Sequence, residues 1–114
     1  MTIDQRRTDS GVVLEIHGAL SAGHGEASLR RAIRIAVDEG ARIVIVNLRA
    51  VSDIDSSGVA ELASGHIAVT NRGGRLILCC LSKKLEHIFA ITRLAEVFEI
   101  YPSEADATAA RAPS

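Results

Sequence analysis

The unbroken apolar run Ile43-Val44-Ile45-Val46 constrains the fold of this 114-residue chain more than any other feature. A strand with one face in water alternates apolar and polar residues, whereas a continuous apolar run is typical of a strand covered on both faces. The run predicts a strand over residues 42–48, and a second continuous strand is predicted over residues 75–81. Strands of this kind occur in sheets that carry helices on both sides.

Segments with helical periodicity separate the predicted strands. The predicted helices cover residues 26–39, 57–71, a short segment after the N-cap candidate Ser82, and about 103–110. Further strands are predicted over residues 3–8, 11–17 and 97–101, with loops over 18–25 and after Leu48. Alternating strands and helices predict an α/β fold with a mostly parallel central sheet of four to five strands and about four helices. We expect a single domain over residues 1–114, with a core from about 3 to 110.

Composition and charge exclude several classes of function. Aromatic residues make up only 3% of the chain, so it is not expected to bind nucleic acid by base stacking. Its net charge of −1 also disfavours electrostatic binding to a phosphate backbone. No apolar segment is long enough to insert into a membrane, and no signal peptide is recognisable. Cys79 and Cys80 are adjacent, so a strand would point them to opposite faces and make them poor disulfide partners. A reduced, cytoplasmic location is therefore expected.

Neither a metal site nor a cofactor is expected from the spacing of ligand-forming residues. No two histidines stand at i, i+4 spacing, and no cysteine stands at metal-ligand spacing from a histidine. The four histidines are His17, His24, His66 and His87. Arg30, Arg31 and Arg34 are interpreted as the solvated face of the first helix. An enzyme is not expected either, because the chain has no Walker loop, no G-x-G-x-x-G motif and no convincing pair of base and nucleophile.

The segment Asp53-Ile54-Asp55-Ser56-Ser57-Gly58 carries the most chemistry in the chain. It follows a buried strand and precedes a helix, which is where α/β folds place functional loops. Two hydroxyl groups at a helix start lie where the helix dipole favours an anion. From these residues alone, helix capping is the simpler interpretation, with Gly58 easing close packing.

Three sharper motifs do not fit this segment. A calcium loop beginning at Asp53 requires Glu at its twelfth position, where the chain has Ser64 within a predicted helix. An aspartyl-phosphate site is disfavoured because residues 49–52 interrupt the apolar run before it and the chain is short for such an enzyme. A hydrolase elbow requires Gly two residues before the serine, where the chain has Asp55.

Taken in order, these elements resemble the STAS domain, the fold of anti-sigma factor antagonists. The matching blocks are residues 12–20, 45–48, 51–58, 73–79 and 91–107. The resemblance implies that an anti-sigma factor with serine-kinase activity phosphorylates the second serine of Asp55-Ser56-Ser57-Gly58, which is Ser57. The unphosphorylated form would bind the anti-sigma factor and free the sigma factor, and a serine phosphatase would reverse the modification.

The same resemblance assigns supporting roles around Ser57. Site-shaping or partner-binding residues are expected to be Asp53, Asp55, Ser56, Gly58, Ser21 and His24. Ser21 departs from the family pattern, because many phosphorylated members have Asp there, and Arg93 stands where Gly is common. The departure at Ser21 keeps a second hypothesis open, an interaction subunit of a stress-sensing assembly or of a lipid-transport ABC system.

Overall fold

The computed structural model describes residues 2–8, 11–21 and 26–110, and within these ranges it contains six strands and four helices. The strands are β1 (Thr2–Arg7), β2 (Gly11–Leu20), β3 (Ile43–Asn47), β4 (Val51–Ile54), β5 (Arg75–Cys79) and β6 (Glu99–Tyr101). The helices are α1 (Glu26–Asp38), α2 (Ser56–Asn71), α3 (Lys83–Ile91) and α4 (Glu104–Ala110). A short 3₁₀ turn, Leu94–Glu96, links α3 to β6.

The sheet is mostly parallel, and its order is β1-β2-β3-β5-β6. Among the strands of the described residues, β1 alone runs antiparallel to its neighbour β2, while β2, β3, β5 and β6 pair in parallel. The strand β4 adds in parallel to the far end of β2, where Leu20 lies opposite Ile54. The predicted α/β class, the mostly parallel sheet and the four helices are confirmed.

The run over residues 43–46 is buried throughout, as the prediction for a doubly covered strand requires. Val44 and Val46 join the larger core cluster, to which α1, α2 and α3 also contribute. Ile43 and Ile45 join a second cluster together with Ala107 of α4. The alternating side chains of β3 therefore supply both cores, which explains why no polar residue interrupts the run.

Two segments differ from the sequence prediction near the carboxyl end of β2. The predicted loop after Leu48 contains β4, and β2 continues to Leu20 although residues from Gly18 onward were expected to form a loop. The four-residue β4 buries only Val51 and Ile54, its end residues. A strand this short is specified by its pairing with β2, a long-range contact that local periodicity does not reveal.

The expected separation of the two cysteines is wrong. Cys80 lies beyond the end of β5 with a φ of 63°, and this left-handed backbone brings its Sγ to 3.5 Å from that of Cys79. The strand geometry that predicted opposite faces does not apply outside the strand. Both thiols are free, and burial raises the pKa of the Cys79 thiol well above its ordinary value. Cys79 is a core residue, whereas Cys80 is partly exposed.

The charged face of α1 contacts α2, which its pattern does not indicate. Arg30 Nε donates to Glu61 Oε2 of α2 at 3.1 Å, and a second guanidinium nitrogen contacts the other carboxylate oxygen. Glu61 is only 6% exposed. Arg30 is thus a link between two helices rather than only part of a solvated face.

Replacing Arg30 with alanine is expected to lower the free energy of unfolding by about 1–3 kcal/mol, because a buried carboxylate loses its charged donor. Arg31→Ala is the matched control on the same helix, since Arg31 is exposed and an exposed substitution typically changes stability by less than about 0.5 kcal/mol. Urea denaturation of both variants measures the difference. Equal stability of the two variants would show that the contact with Glu61 contributes nothing.

Candidate functional site

The segment over residues 53–58 connects the end of β4 to the start of α2, and Asp55 caps that helix. Asp55 has an extended backbone, and its Oδ1 accepts a hydrogen bond from the Gly58 N–H at 3.0 Å. Its carbonyl oxygen accepts from the Val59 N–H, also at 3.0 Å. Serine and aspartate are both preferred capping residues, and in this segment Asp55 is the one that caps the helix.

The two serines that follow are not used by the cap. Ser56 is the first residue of α2 and is exposed, and Ser57 is the second residue and half-buried. Within residues 2–8, 11–21 and 26–110, neither hydroxyl group has a hydrogen-bond partner. Both hydroxyls lie in the first turn of a 16-residue helix, where the dipole stabilises negative charge.

Gly58 brings the first turn of α2 into direct contact with the end of β2. A Cβ atom at this position would lie 2.0 Å from the carbonyl oxygen of Leu20 and 2.9 Å from Cγ1 of Ile54. The same Leu20 carbonyl accepts a hydrogen bond from the Asp55 N–H at 3.3 Å. Because Ser21 directly follows Leu20, the structure places Ser21 next to the segment that carries Ser57. His24 lies outside the described residues.

Asp53 makes an ion pair that sequence reasoning missed. Its Oδ1 lies 3.1 Å from Nζ of Lys84 in α3 and also accepts the Ile54 N–H at 2.9 Å. The hydrogen bond from Lys84, followed by the one from Ile54, lowers the pKa of the Asp53 carboxyl. The available signal was Lys83-Lys84 in the first turn of a helix capped by Ser82, where the dipole disfavours cations.

Replacing Lys84 with glutamine is expected to raise the pKa of Asp53 toward its ordinary value of about 3.9. A lowered carboxyl pKa stabilises the folded chain above that ordinary value, and the contribution disappears as the pH falls through the folded-state pKa. Carbon-detected NMR titration of the Asp53 carboxyl measures the change. Lys83→Gln is the matched control, because it removes the adjacent charge and keeps the ion pair. An unchanged Asp53 pKa in Lys84→Gln would contradict the assignment.

The segment does not form a calcium loop. Since α2 begins at Ser56, the later positions of a calcium loop are already helical, and Ser64 lies inside that helix. Among the described residues, the group of three metal-ligating side chains found close together lies elsewhere, at Asp4, Glu15 and His17. In the described part of the chain, no helix is long and apolar enough to cross a membrane.

Comparison with known proteins gives a family match over most of the chain. The model of the STAS domain family matches residues 2–107. An anti-sigma factor antagonist from Mycobacterium paratuberculosis has a similar structure, with a TM-score of 0.83, 22% identity, and coverage of 96% of this chain and 92% of that one. The Bacillus cell fate determinant SpoIIAA in its phosphorylated form gives a TM-score of 0.72, 25% identity, and coverage of 96% and 100%.

The same fold also occurs in a protein of a different kind. A sulfate transporter family protein from Wolinella succinogenes matches with a TM-score of 0.75 and 22% identity, covering 85% of this chain and 80% of that one. At such identities, structural likeness establishes the fold alone.

Proposed function

This chain belongs to the STAS domain family, and on that basis we propose that it is an anti-sigma factor antagonist switched by phosphorylation of Ser57. Unphosphorylated, it binds an anti-sigma factor with serine-kinase activity, and the sigma factor is released. Phosphorylated, it leaves the anti-sigma factor, and a serine phosphatase restores the binding form. The chain itself catalyses nothing in this cycle, and it needs no cofactor.

The observation that carries the proposal is that Asp55 caps α2 and leaves the Ser57 hydroxyl unused by the cap. Asp55 provides the helix cap through its contact with the Gly58 N–H at 3.0 Å, so Ser57 has no structural duty as a cap. Its hydroxyl has no hydrogen-bond partner among the described residues and lies in the first helical turn. A phosphate there would add about −1.5 to −2 charge without breaking a hydrogen bond of the fold.

Ser56 is the direct competitor for modification, because it is more exposed than Ser57 and also free of the cap. The family resemblance selects the second serine of the segment, and the half-buried position of Ser57 beside Gly58 agrees with a site recognised only by a dedicated kinase. A phosphate on Ser57 would also stand close in sequence to Asp53 and Asp55, in a loop that already carries negative charge.

Phosphorylation by the cognate kinase tests the proposal. The purified chain is incubated with ATP and the anti-sigma factor kinase, and the product is measured by intact mass and by fragmentation. We expect one phosphate on the parent and on Ser56→Ala, and none on Ser57→Ala. Equal labelling of Ser57→Ala and the parent would refute the assignment, and loss of label only in Ser56→Ala would move the site to Ser56.

The residue at position 21 supports a second candidate function, an interaction subunit of a stress-sensing assembly or of a lipid-transport ABC system. Ser21 stands beside the site where many phosphorylated family members have Asp, and the fold is shared with a sulfate transporter family protein. A subunit of this kind would bind its partner whatever the charge at Ser57. Co-elution with a partner that is unchanged by Ser57→Asp would favour it over the switch.

A further inference from the structure

Three metal-ligating side chains lie together on the β1–β2 hairpin, outside the segment that carries Ser57. We propose that Asp4, Glu15 and His17 form a binding site for a divalent transition-metal ion, and that Zn²⁺ is the ion that fits it. Their ligand atoms all lie within 4.8 Å of one another. The proposal is independent of the phosphorylation switch.

The hairpin register brings the three side chains to one place. Asp4 is directly opposite Glu15, and His17 follows Glu15 by two residues and so points to the same face of the sheet. Nε2 of His17 lies 3.0 Å from Oδ2 of Asp4 and 3.1 Å from Oε1 of Glu15. Tetrahedral zinc with bonds of about 2.0–2.2 Å separates neighbouring ligand atoms by about 3.4 Å, so small side-chain movements would admit the ion.

The charges at this place favour a cation. Two carboxylates directly opposite each other on paired strands repel, and a positive charge between them removes that cost. Arg6, two residues after Asp4 on β1, donates to both carboxylate oxygens of Glu104 at 2.7 and 2.9 Å and attracts Glu15 only as a smaller effect. A divalent ion would neutralise both Asp4 and Glu15.

The mixture of ligands selects the class of ion. Mg²⁺ and Ca²⁺ prefer six or more oxygen ligands, whereas imidazole together with carboxylates suits zinc and its neighbours. Three protein ligands leave a fourth position for water, and the side chains of His17 and Asp4 are 38% and 73% exposed, so the ion can enter from solvent. The histidine spacing gave no indication of this site because ten residues lie between Asp4 and Glu15, and only the strand register brings the two together.

Zinc titration of the chelator-treated protein tests the proposal. Calorimetry with ZnCl₂ is expected to show one ion per chain, and ¹H–¹⁵N NMR is expected to show shifts centred on Asp4, Glu15 and His17. MgCl₂ at the same concentration should produce neither. The absence of stoichiometric zinc binding would overturn the proposal.

Matched variants locate the ion. His17→Gln is expected to abolish binding, whereas His87→Gln, which replaces an exposed histidine on α3, is expected to bind as the parent does. Asp4→Asn is expected to weaken zinc binding. Because Asp4 is more exposed than His17, this variant still tests the site if His17→Gln does not fold. Undiminished binding in both hairpin variants, or NMR shifts centred on Cys79 and Cys80, would place the ion elsewhere and refute the site.

Discussion

Alanine in place of Gly58 is expected to destabilise the fold by about 3 kcal/mol, because its Cβ would lie 2.0 Å from the backbone carbonyl oxygen of Leu20. A backbone group at the end of a strand cannot rotate away as a side chain can. Either α2 lifts from β2, or β2 and β4 lose their register at this end. Thermal denaturation should show a midpoint lowered by about 10 °C or more.

Gly65→Ala is the matched control, because it makes the same substitution in the same helix. Its Cβ would meet Cδ1 of Ile33 at 2.6 Å, but that atom is the far end of a flexible side chain. The cost of moving it is opposed by the gain of about 1 kcal/mol that alanine brings to a helix interior. We expect a change within about 1 kcal/mol, and equal losses in the two variants would show that the backbone contact at Gly58 is not what matters.

The contact at Gly58 also explains why Gly is required in a segment that otherwise looks like an ordinary cap. The close approach to Leu20 fixes the first turn of α2 against the strand that leads into Ser21. Partner binding and phosphorylation of Ser57 should therefore fail in Gly58→Ala even at temperatures where the variant is still folded. Gly65→Ala should retain both.

The features of the fold that arise from local periodicity could be predicted from the sequence. The buried run over residues 43–46 and the helical stripes were enough to predict the parallel sheet and the four helices. The strand β4 could not be predicted, because its four residues show too little alternation and form a strand only by pairing with β2. The position of Cys80 was missed for a related reason, since its left-handed φ of 63° is not encoded by residue type.

For the site, sequence reasoning identified the segment but not the role of each residue in it. Asp55 and the serines were equally acceptable caps by type, and only the hydrogen bond to the Gly58 N–H distinguished them. The unfavourable position of Lys84 in the first turn of α3 indicated a partner, but not that the partner is Asp53, which lies 31 residues away in the chain. Ion pairs between elements far apart in the chain produce no periodic pattern in the sequence.

Aspartate in place of Ser57 is expected to weaken binding of the anti-sigma factor by at least about 100-fold, or about 2.7 kcal/mol. Asp53 and Asp55 are exposed to water in the free chain, so a further charge beside them is screened there. A partner that covers this segment would have to desolvate the added carboxylate, which costs free energy only in the complex. The fold should persist, because the first turn of a helix favours an anion by about 0.3–1 kcal/mol. Calorimetry with the partner captured by the parent protein measures the affinity, and thermal denaturation measures the fold.

Ser57→Asn is the matched control, since asparagine has nearly the shape of aspartate without its charge. If negative charge at position 57 prevents binding of the anti-sigma factor, Ser57→Asn and Ser57→Ala keep most of the affinity and only Ser57→Asp loses it. Equal losses in the Asp and Asn variants would mean that size at position 57 decides binding, and a charge switch would then be wrong. Full affinity in all three variants would place the partner's contact away from Ser57, as the interaction-subunit hypothesis requires.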